Sequence, residues 1–406
     1  MTEIMERIKF KKLKEKLNNS NGYKSVCYRC LTFILYFWFK ILGLLPCKID
    51  SRILRENPIV GIDNLRFNFS YVGPCYNVLL FVLLVIFDTY IVHNMLSIYV
   101  TSRLSLEAIT IDISFIRMLC ASVIPLIYIR RQKLFISVLN RFEILGKKLN
   151  KCADYKVEND NTNYLIFTIY FVIMCCIIMI REMYFKSLIS VLIASLPILI
   201  NSGVIIQYAM LLNIIKIRFK SINLTLSKLG TTESKISLSR QSVLDDIDNI
   251  KRAYVELCEM CEDIGNFYGI SILIVVTITS LKSIYNLYYM FLVLIDLREV
   301  DIIMILSGIH LIWDNFLFAT LTTSVTKTIK QNRNTARIIN FLMDRYVADE
   351  TIKKKLAKFS SNLWHLTVEF TACDILPLDR TLLAIVNGTI ATYLVIAVQF
   401  RVSSPS

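Results

Sequence analysis

Hydrocarbon about 30 Å thick takes roughly 20 consecutive, mostly apolar residues to cross as a helix. Such runs occur in this chain at 75–97, 109–129, 164–181, 187–215, 267–295, 301–326 and 380–400, and they predict seven transmembrane helices. Ahead of them, Cys30 to Leu45 (CLTFILYFWFKILGLL) is apolar but short, broken by Lys40 and rich in Trp, Tyr and Phe. That is the pattern of an interfacial or re-entrant segment.

Between the spans the periodicity changes character. From Val243 the apolar positions run Ile247, Ile250, Tyr254, Leu257, Cys261 and Ile264, alternating steps of four and three. They put one narrow stripe along a helix about 33 Å long. From Ile352 the same alternation gives Leu356, Phe359, Leu363, Leu366, Phe370 and Cys373, and Leu134, Val138, Phe142, Leu145 and Leu149 extend the second span inward. Each stripe is polar elsewhere, so it buries best against the other stripe or against copies in another subunit, where it would hold an assembly together. The Ser/Thr-rich stretch SINLTLSKLGTTESKISLSRQ separates two of them as a loop.

Charge fixes an orientation for these helices. The segments 1–74, 130–163, 216–266 and 327–380 hold 13, 8, 8 and 10 Lys and Arg, 39 in all, against five on the alternate side (Arg103, Arg181, Lys186, Arg298, Arg401). Basic residues stay cytoplasmic, so the N-terminus is expected inside and the C-terminus outside, opposite to a G-protein-coupled receptor. The expected fold is therefore an all-α integral membrane protein of seven transmembrane helices with cytoplasmic helical extensions. Its parts are a cytoplasmic N-terminal region with an interfacial helix (1–74), spans one to four (75–215), a cytoplasmic loop and helix (216–266), spans five and six (267–326), cytoplasmic helices (327–379) and a last, pore-lining span (380–406).

Composition agrees with a membrane solvent: 55% of residues are hydrophobic, 19% charged, and the mean hydropathy is +0.54. The net charge of +14 reads as membrane topology and not as nucleic-acid binding. Eleven scattered cysteines make no disulfide framework. The CxxC pairs Cys27/Cys30 and Cys258/Cys261 each lack the further ligands a zinc site needs, so no metal and no cofactor is expected. The chain opens MTEIMERIKFKKLKEKL, with no cleaved signal peptide expected, and the N-x-S/T triplets at Asn18, Asn68, Asn223 and Asn387 fall on the cytoplasmic side or in a span, where no glycan is added. No GxSxG, HExxH or P-loop is present, which argues against an enzyme.

Polar groups inside spans are costly and mark function or structural pairing. The sixth span is densest: His310, Trp313 and Asp314 share one helix face. At comparable depth lie Asp88 and His93, Asp112 and Arg117, Asn201, and Asn286 with Tyr285, Tyr288 and Tyr289. Trp313, Asp314, His310, Asn286, Tyr289 and Arg117 are the candidate ligand-binding residues, suited to a small polar or aromatic molecule. The alternative is that Asp314 pairs with His310, Lys282 or Arg117 as buried structural glue. The last span carries Ala384, Gly388 and Thr392 as a small-residue ridge, with Gln399 and Phe400 one heptad beyond Thr392 and Tyr393. That stripe fits a constriction on a symmetry axis.

These residues carry a resemblance. Thr392, Tyr393, LVIAV, Gln399 and Phe400 match the TYhhhhhQF signature of insect gustatory receptors, FTACDILPLDRTLL resembles the family's approach to its seventh span, and ILGLLP at 41–46 is similar to its motif before the first span. The resemblance implies a tastant-gated, non-selective cation channel in the lipid of a sensory neuron's plasma membrane. It implies a homotetramer or a heteromer with related receptors, and a gate at Gln399 and Phe400 supported by Tyr393 and Thr392. It also implies that Ile352 to Cys373 form the inner half of the seventh helix, breaking near Pro377. The family's sugar branch usually has an acidic residue after the Tyr; here it is Leu394, which leaves fructose-type or bitter-type ligands open. The rival reading is a transporter of small polar solutes, and no internal repeat supports it.

Overall fold

The computed structural model describes residues 30–49, 66–99, 106–150, 152, 155, 160–185, 188–229, 240–295, 302–346, 349–364 and 366–403. Nearly all of them are helical: α1 (Cys30–Ile41), α2 (Val72–Tyr99), α3 (Leu106–Arg130), α4 (Gln132–Leu149), α5 (Thr162–Phe185), α6 (Leu188–Leu229), α7 (Arg240–Ile295), α8 (Ile302–Arg345), α9 (Glu350–Leu363) and α10 (Arg380–Ser403). Two short antiparallel ladders punctuate them, β1 (Lys48–Ile49) with β2 (Phe67–Asn68) and β3 (Thr371–Ala372) with β4 (Leu376–Pro377). Among the described residues six helices are long and apolar enough to cross a membrane, α2, α5, α6, α7, α8 and α10. The predicted second span falls on α3, whose side chains are described from 115 onward.

Helix α7 is the axis of the molecule, touching α3, α4, α6, α8, α9, α10 and β3. Hydrogen bonds set the directions of its neighbours. Thr328 Oγ1 donates to Leu212 O, Asn223 Nδ2 to Gln331 O, and the Tyr346 hydroxyl to Leu229 O, so α6 and α8 run parallel. Lys282 meets Asp314 and Asn332 meets Tyr254, so α7 runs against α8. The end of α6, the start of α7, the end of α8 and α9 therefore share one end of the bundle, which also carries most of the described Lys and Arg.

The predicted boundaries at 215, 266 and 326 all fall inside unbroken helices, α6, α7 and α8 respectively. Span and extension are one rod in each case: no Gly or Pro lies at the α6 and α8 crossings, Gly265 at the α7 crossing is carried within the helix, and polar residues at the α6 crossing face neighbours. Asn213 donates to Asn163, and Lys216 to Asp160. Asn223 is buried, bonded to Gln331 and Thr335, which leaves no room for a glycan on its sequon.

The first stripe is a helix face as expected: Ile247, Ile250, Tyr254, Leu257, Cys261 and Ile264 are all buried. They are buried within one subunit, against α6, α8 and α9, which corrects the expectation that the stripe holds subunits together. The second stripe is corrected twice. Ile352, Leu356 and Phe359 are likewise buried inside the chain, and the helix stops at Leu363, so Leu366, Phe370 and Cys373 are not helical. From there the chain alternates, with Val368, Phe370 and Ala372 buried and Thr367 and Glu369 exposed. A period of two in a Thr/Val-rich run is an extended segment. The hairpin that follows turns through Cys373 and Asp374, both at positive φ, and seats its backbone against Gly269 of α7, where a Cβ would lie 3.2 Å from Cys373 N. The seventh span is thus reached through a β-hairpin and not through a broken helix.

Helix α1 descends beside the start of α5, with Thr32 meeting the Tyr164 hydroxyl at 3.1 Å and Trp38 Nε1 donating to the Tyr170 hydroxyl at 3.3 Å. The chain then reverses at Gly43, whose φ of 73° suits glycine. The turn is held by its carbonyls: Gly43 O accepts from Asn77, Leu44 O from Gln207, Pro46 O from Gln132 and Cys47 O from Tyr36. Gly73 of α2 packs so tightly here that a Cβ would stand 2.3 Å from Pro46 O. Phe33, Ile34, Phe37 and Ile41 form an exposed apolar face of α1.

Candidate functional site

Two places collect the candidate residues: a polar cluster where α3, α7 and α8 meet, and the bare helix α10. In the cluster, His310, Trp313 and Asp314 are buried on the face of α8 that the i, i+3, i+4 spacing selects. Asp314 Oδ1 accepts from Lys282 Nζ at 3.2 Å, and Oδ2 from Ser283 Oγ at 3.3 Å. Arg117 of α3 interacts electrostatically with the same carboxylate. In hydrocarbon a lone carboxylate would be too costly, and two adjacent residues of α7 supply its partners. Asp314 is therefore bound up in the protein's own pairing, as the structural alternative foresaw.

The remaining candidates stand around it. Because Lys282 faces Asp314 on antiparallel helices, Asn286, one turn along α7, comes level with His310, one turn back along α8. Asn286 is buried, and its Nδ2 has no acceptor. Trp313 stacks on Tyr170 (centroids 6.1 Å apart) and on Phe316 (5.3 Å), and its indole N–H has no acceptor either. Tyr289 is half-buried and stacks with Tyr285 at 6.4 Å. Asp88 and Asn201 are also buried with unpaired oxygens. The side chains of His93 and Asp112 lie outside the described residues. Sequence reading missed Tyr170, the aromatic floor under Trp313, and Ser283; Tyr170 is one of four aromatic residues between 164 and 171, and nothing in the sequence sets it apart.

Between this cluster and the basic end lies a second polar node. Gln207 Nε2 donates to Leu44 O at 2.9 Å, while its Oε1 accepts from the Tyr128 hydroxyl at 2.7 Å and the Tyr268 hydroxyl at 2.9 Å. One side chain of α6 thereby ties the turn after α1, α3 and α7 together. The Tyr268 ring packs on Tyr208 and that on Phe370, the last residue before the hairpin that leads to α10.

Helix α10 starts at a cap: Asp379 accepts from the Thr381 amide at 2.9 Å and its hydroxyl at 2.6 Å. These bonds hold the Asp379 carboxyl below its usual range. Beyond Val386 the helix leaves the bundle. Thr392, Tyr393 and Gln399 are exposed, Thr392 Oγ1 donates to Gly388 O, and nothing stands within 4 Å of a Cβ built at Gly388. Phe400 continues the helix, and its side chain lies outside the described residues. Among the described residues no group of three or more His, Cys, Asp or Glu side chains is placed to hold a metal.

The fold is thus a multi-pass helical bundle with a cluster of buried polar side chains and a last helix left largely uncovered by its own chain. Comparison with known proteins makes that specific. The family model described as 7tm chemosensory receptor matches residues 32–404, and the chain belongs to that family, which is a family of receptors and not of enzymes. It is 38% identical over 80 residues to gustatory receptor 28b and 24% identical over 186 residues to the gustatory receptor for sugar taste 43a, both of Drosophila melanogaster. These alignments cover 20% and 45% of this chain and only 17% and 42% of the relatives' own length. The fold is that of the insect olfactory receptor OR5 from Machilis hrabei, with TM-score 0.63 and 11% identity over 93% of this chain and 99% of that one. A structure of the same receptor in complex with eugenol matches with TM-score 0.65.

Proposed function

We propose that this chain is a gustatory receptor that works as a ligand-gated, non-selective cation channel, assembled as a homotetramer or with related receptors in the plasma membrane of sensory neurons. The observation that carries the proposal is the state of α10. Only 11% of its most apolar stretch is buried by its own chain, yet its exposed surface carries Asn387, Thr389, Thr392 and Gln399 among apolar side chains. Lipid would accept the aliphatic side chains but leave the Gln399 amide unsatisfied. Copies of the helix around a water-filled axis satisfy both. The N-terminus is cytoplasmic on this reading, since the basic end then faces inward.

The ligand sits among Trp313, His310, Asn286, Tyr289 and Arg117, and Asp314 orders the site through Lys282 and Ser283. A small molecule of the fructose or bitter class, rich in hydrogen-bonding groups, meets an aromatic face and unpaired donors there. The comparison with a eugenol-bound receptor of the same fold supports a small-molecule site in this architecture. Opening widens a ring of Phe400, which closes the path by dewetting, and Gln399 offers its amide dipoles to the passing cation.

The gate assignment is tested by basal conductance. Phe400→Ala is expected to leak without ligand, whereas Tyr393→Ala, a heptad earlier, is expected to stay closed and to impair helix packing. A closed, ligand-responsive Phe400→Ala channel would move the gate elsewhere on α10.

A further inference from the structure

The polar cluster holds more cationic hydrogen-bonding capacity than it uses. Asp314 has both oxygens occupied, by Lys282 and Ser283. Arg117 interacts with Asp314 through the field alone: among the described residues its guanidinium makes no hydrogen bond and no ion pair, and its Nε is sealed from solvent without an acceptor. Asn286 Nδ2 and Trp313 Nε1 are buried donors in the same condition. Arg117 is half-buried, with Nε sealed, and a guanidinium held inside a membrane span without an acceptor is a costly arrangement. The group that relieves it best is a planar anion able to take two N–H donors side by side.

From this geometry we infer that the chamber recognises a carboxylate: a small organic acid whose anionic head is bound by Arg117 and Asn286 and whose aromatic or alkyl body lies against Trp313. The inference rests on the ligand site proposed above and, of the two ligand classes left open there, sets the sugar aside and selects acidic members of the bitter class. A sugar or neutral bitter compound would leave the guanidinium with weaker, uncharged acceptors. The occupied carboxylate of Asp314, conversely, gives little purchase to a cationic amine, which would also meet Lys282 and Arg117.

Binding to the purified full-length chain in lipid nanodiscs tests this without any channel current. Benzoate, phenylacetate and hexanoate are titrated against benzamide, the uncharged isostere of benzoate, with tryptophan fluorescence and the unfolding midpoint as readouts. At least one acid is expected to bind saturably, and benzoate at least tenfold more tightly than benzamide. Arg117→Gln should abolish that preference and Arg117→Lys restore part of it. Asn286→Leu, which removes an amide donor that bonds nothing in the chain, should fold as before and weaken acid binding about tenfold.

Failure of all three acids to bind, or acid binding indifferent to Arg117→Gln and Asn286→Leu, overturns the inference. Equal binding of benzamide and benzoate that is lost in Trp313→Ala overturns the acid preference while leaving the chamber as the ligand site. Binding of every compound unaffected by Trp313→Ala removes the chamber itself.

Discussion

The side-chain amide of Gln207 makes three hydrogen bonds, each to a different element, and each of its partners is buried with it. Replacing it by Leu conserves volume but strands two phenol hydroxyls and the Leu44 carbonyl. An unsatisfied buried group costs about 1–3 kcal/mol, so Gln207→Leu is expected to lower stability by about 3 kcal/mol or more, read as a fall in the denaturation midpoint of the purified chain. Gln207→Glu keeps the acceptor for both tyrosines and should recover part of the loss. Equal stability of Gln207→Leu and the parent would show that water or repacking replaces the node. At this scale the sequence was partly legible. His310, Trp313 and Asp314 were recognisable because ionisable and indole groups are rare in spans, and their common face followed from helical spacing. Gln207 was not, since an amide in a long apolar run gives no sign that Tyr128 and Tyr268, 79 and 61 positions away, aim at its oxygen.

Among the elements, α9 shows how local chemistry and packing combine. Asp349 caps it, accepting from the amides of Thr351 and Ile352 at 3.1 and 3.2 Å, and also meets Arg240 at the start of α7 at 2.8 Å. The Arg240 hydrogen bond, followed by the amide bonds, depresses the Asp349 carboxyl below its usual value. A depressed carboxylate contributes stability above its unfolded pKa of about 3.9, and that contribution is lost as pH falls through the lower folded value. Asp349→Ala is therefore expected to speed hydrogen exchange at Thr351 and Ile352 at neutral pH and to make little difference near pH 2. A difference that persisted in acid would place the protection elsewhere.

The same region marks where periodicity misleads. Steps of four and three continue from Ile352 through Cys373, but an alternating pattern at Val368, Phe370 and Ala372 is superimposed on them, and the extended form wins because it seats the hairpin on Gly269. The long rods α6, α7 and α8 were read as separate spans and extensions because hydropathy drops where charged side chains appear. The backbone simply continues as helix, even through Gly265 of α7.

For the whole molecule, an all-helical multi-pass fold, six of its spanning helices among the described residues, and a basic end were readable from hydropathy and charge, since both follow from the cost of moving polar groups into hydrocarbon. What the apolar stripes pack against was not readable. A seam between subunits and a seam within one have the same spacing, and only the fold shows that α7 and α9 bury theirs internally. The least covered of the six candidate spans among the described residues is α10, so contacts between copies are expected along it and at the exposed Trp364 and Ile375 near its approach. Epitope tags at Thr2 and after Ser406 on intact cells should stain only at the C-terminal position. Staining of the N-terminal tag would reverse the orientation and put the basic end outside.

The account stands or falls on whether this chain alone conducts. Purified protein, reconstituted into planar bilayers with no G protein present, should pass a cation current when a chamber ligand is added, and that current should vanish in Trp313→Ala at the same ligand concentration. A folded, ligand-binding preparation that remains electrically silent, or that signals in cells only when a G protein is supplied, would contradict it.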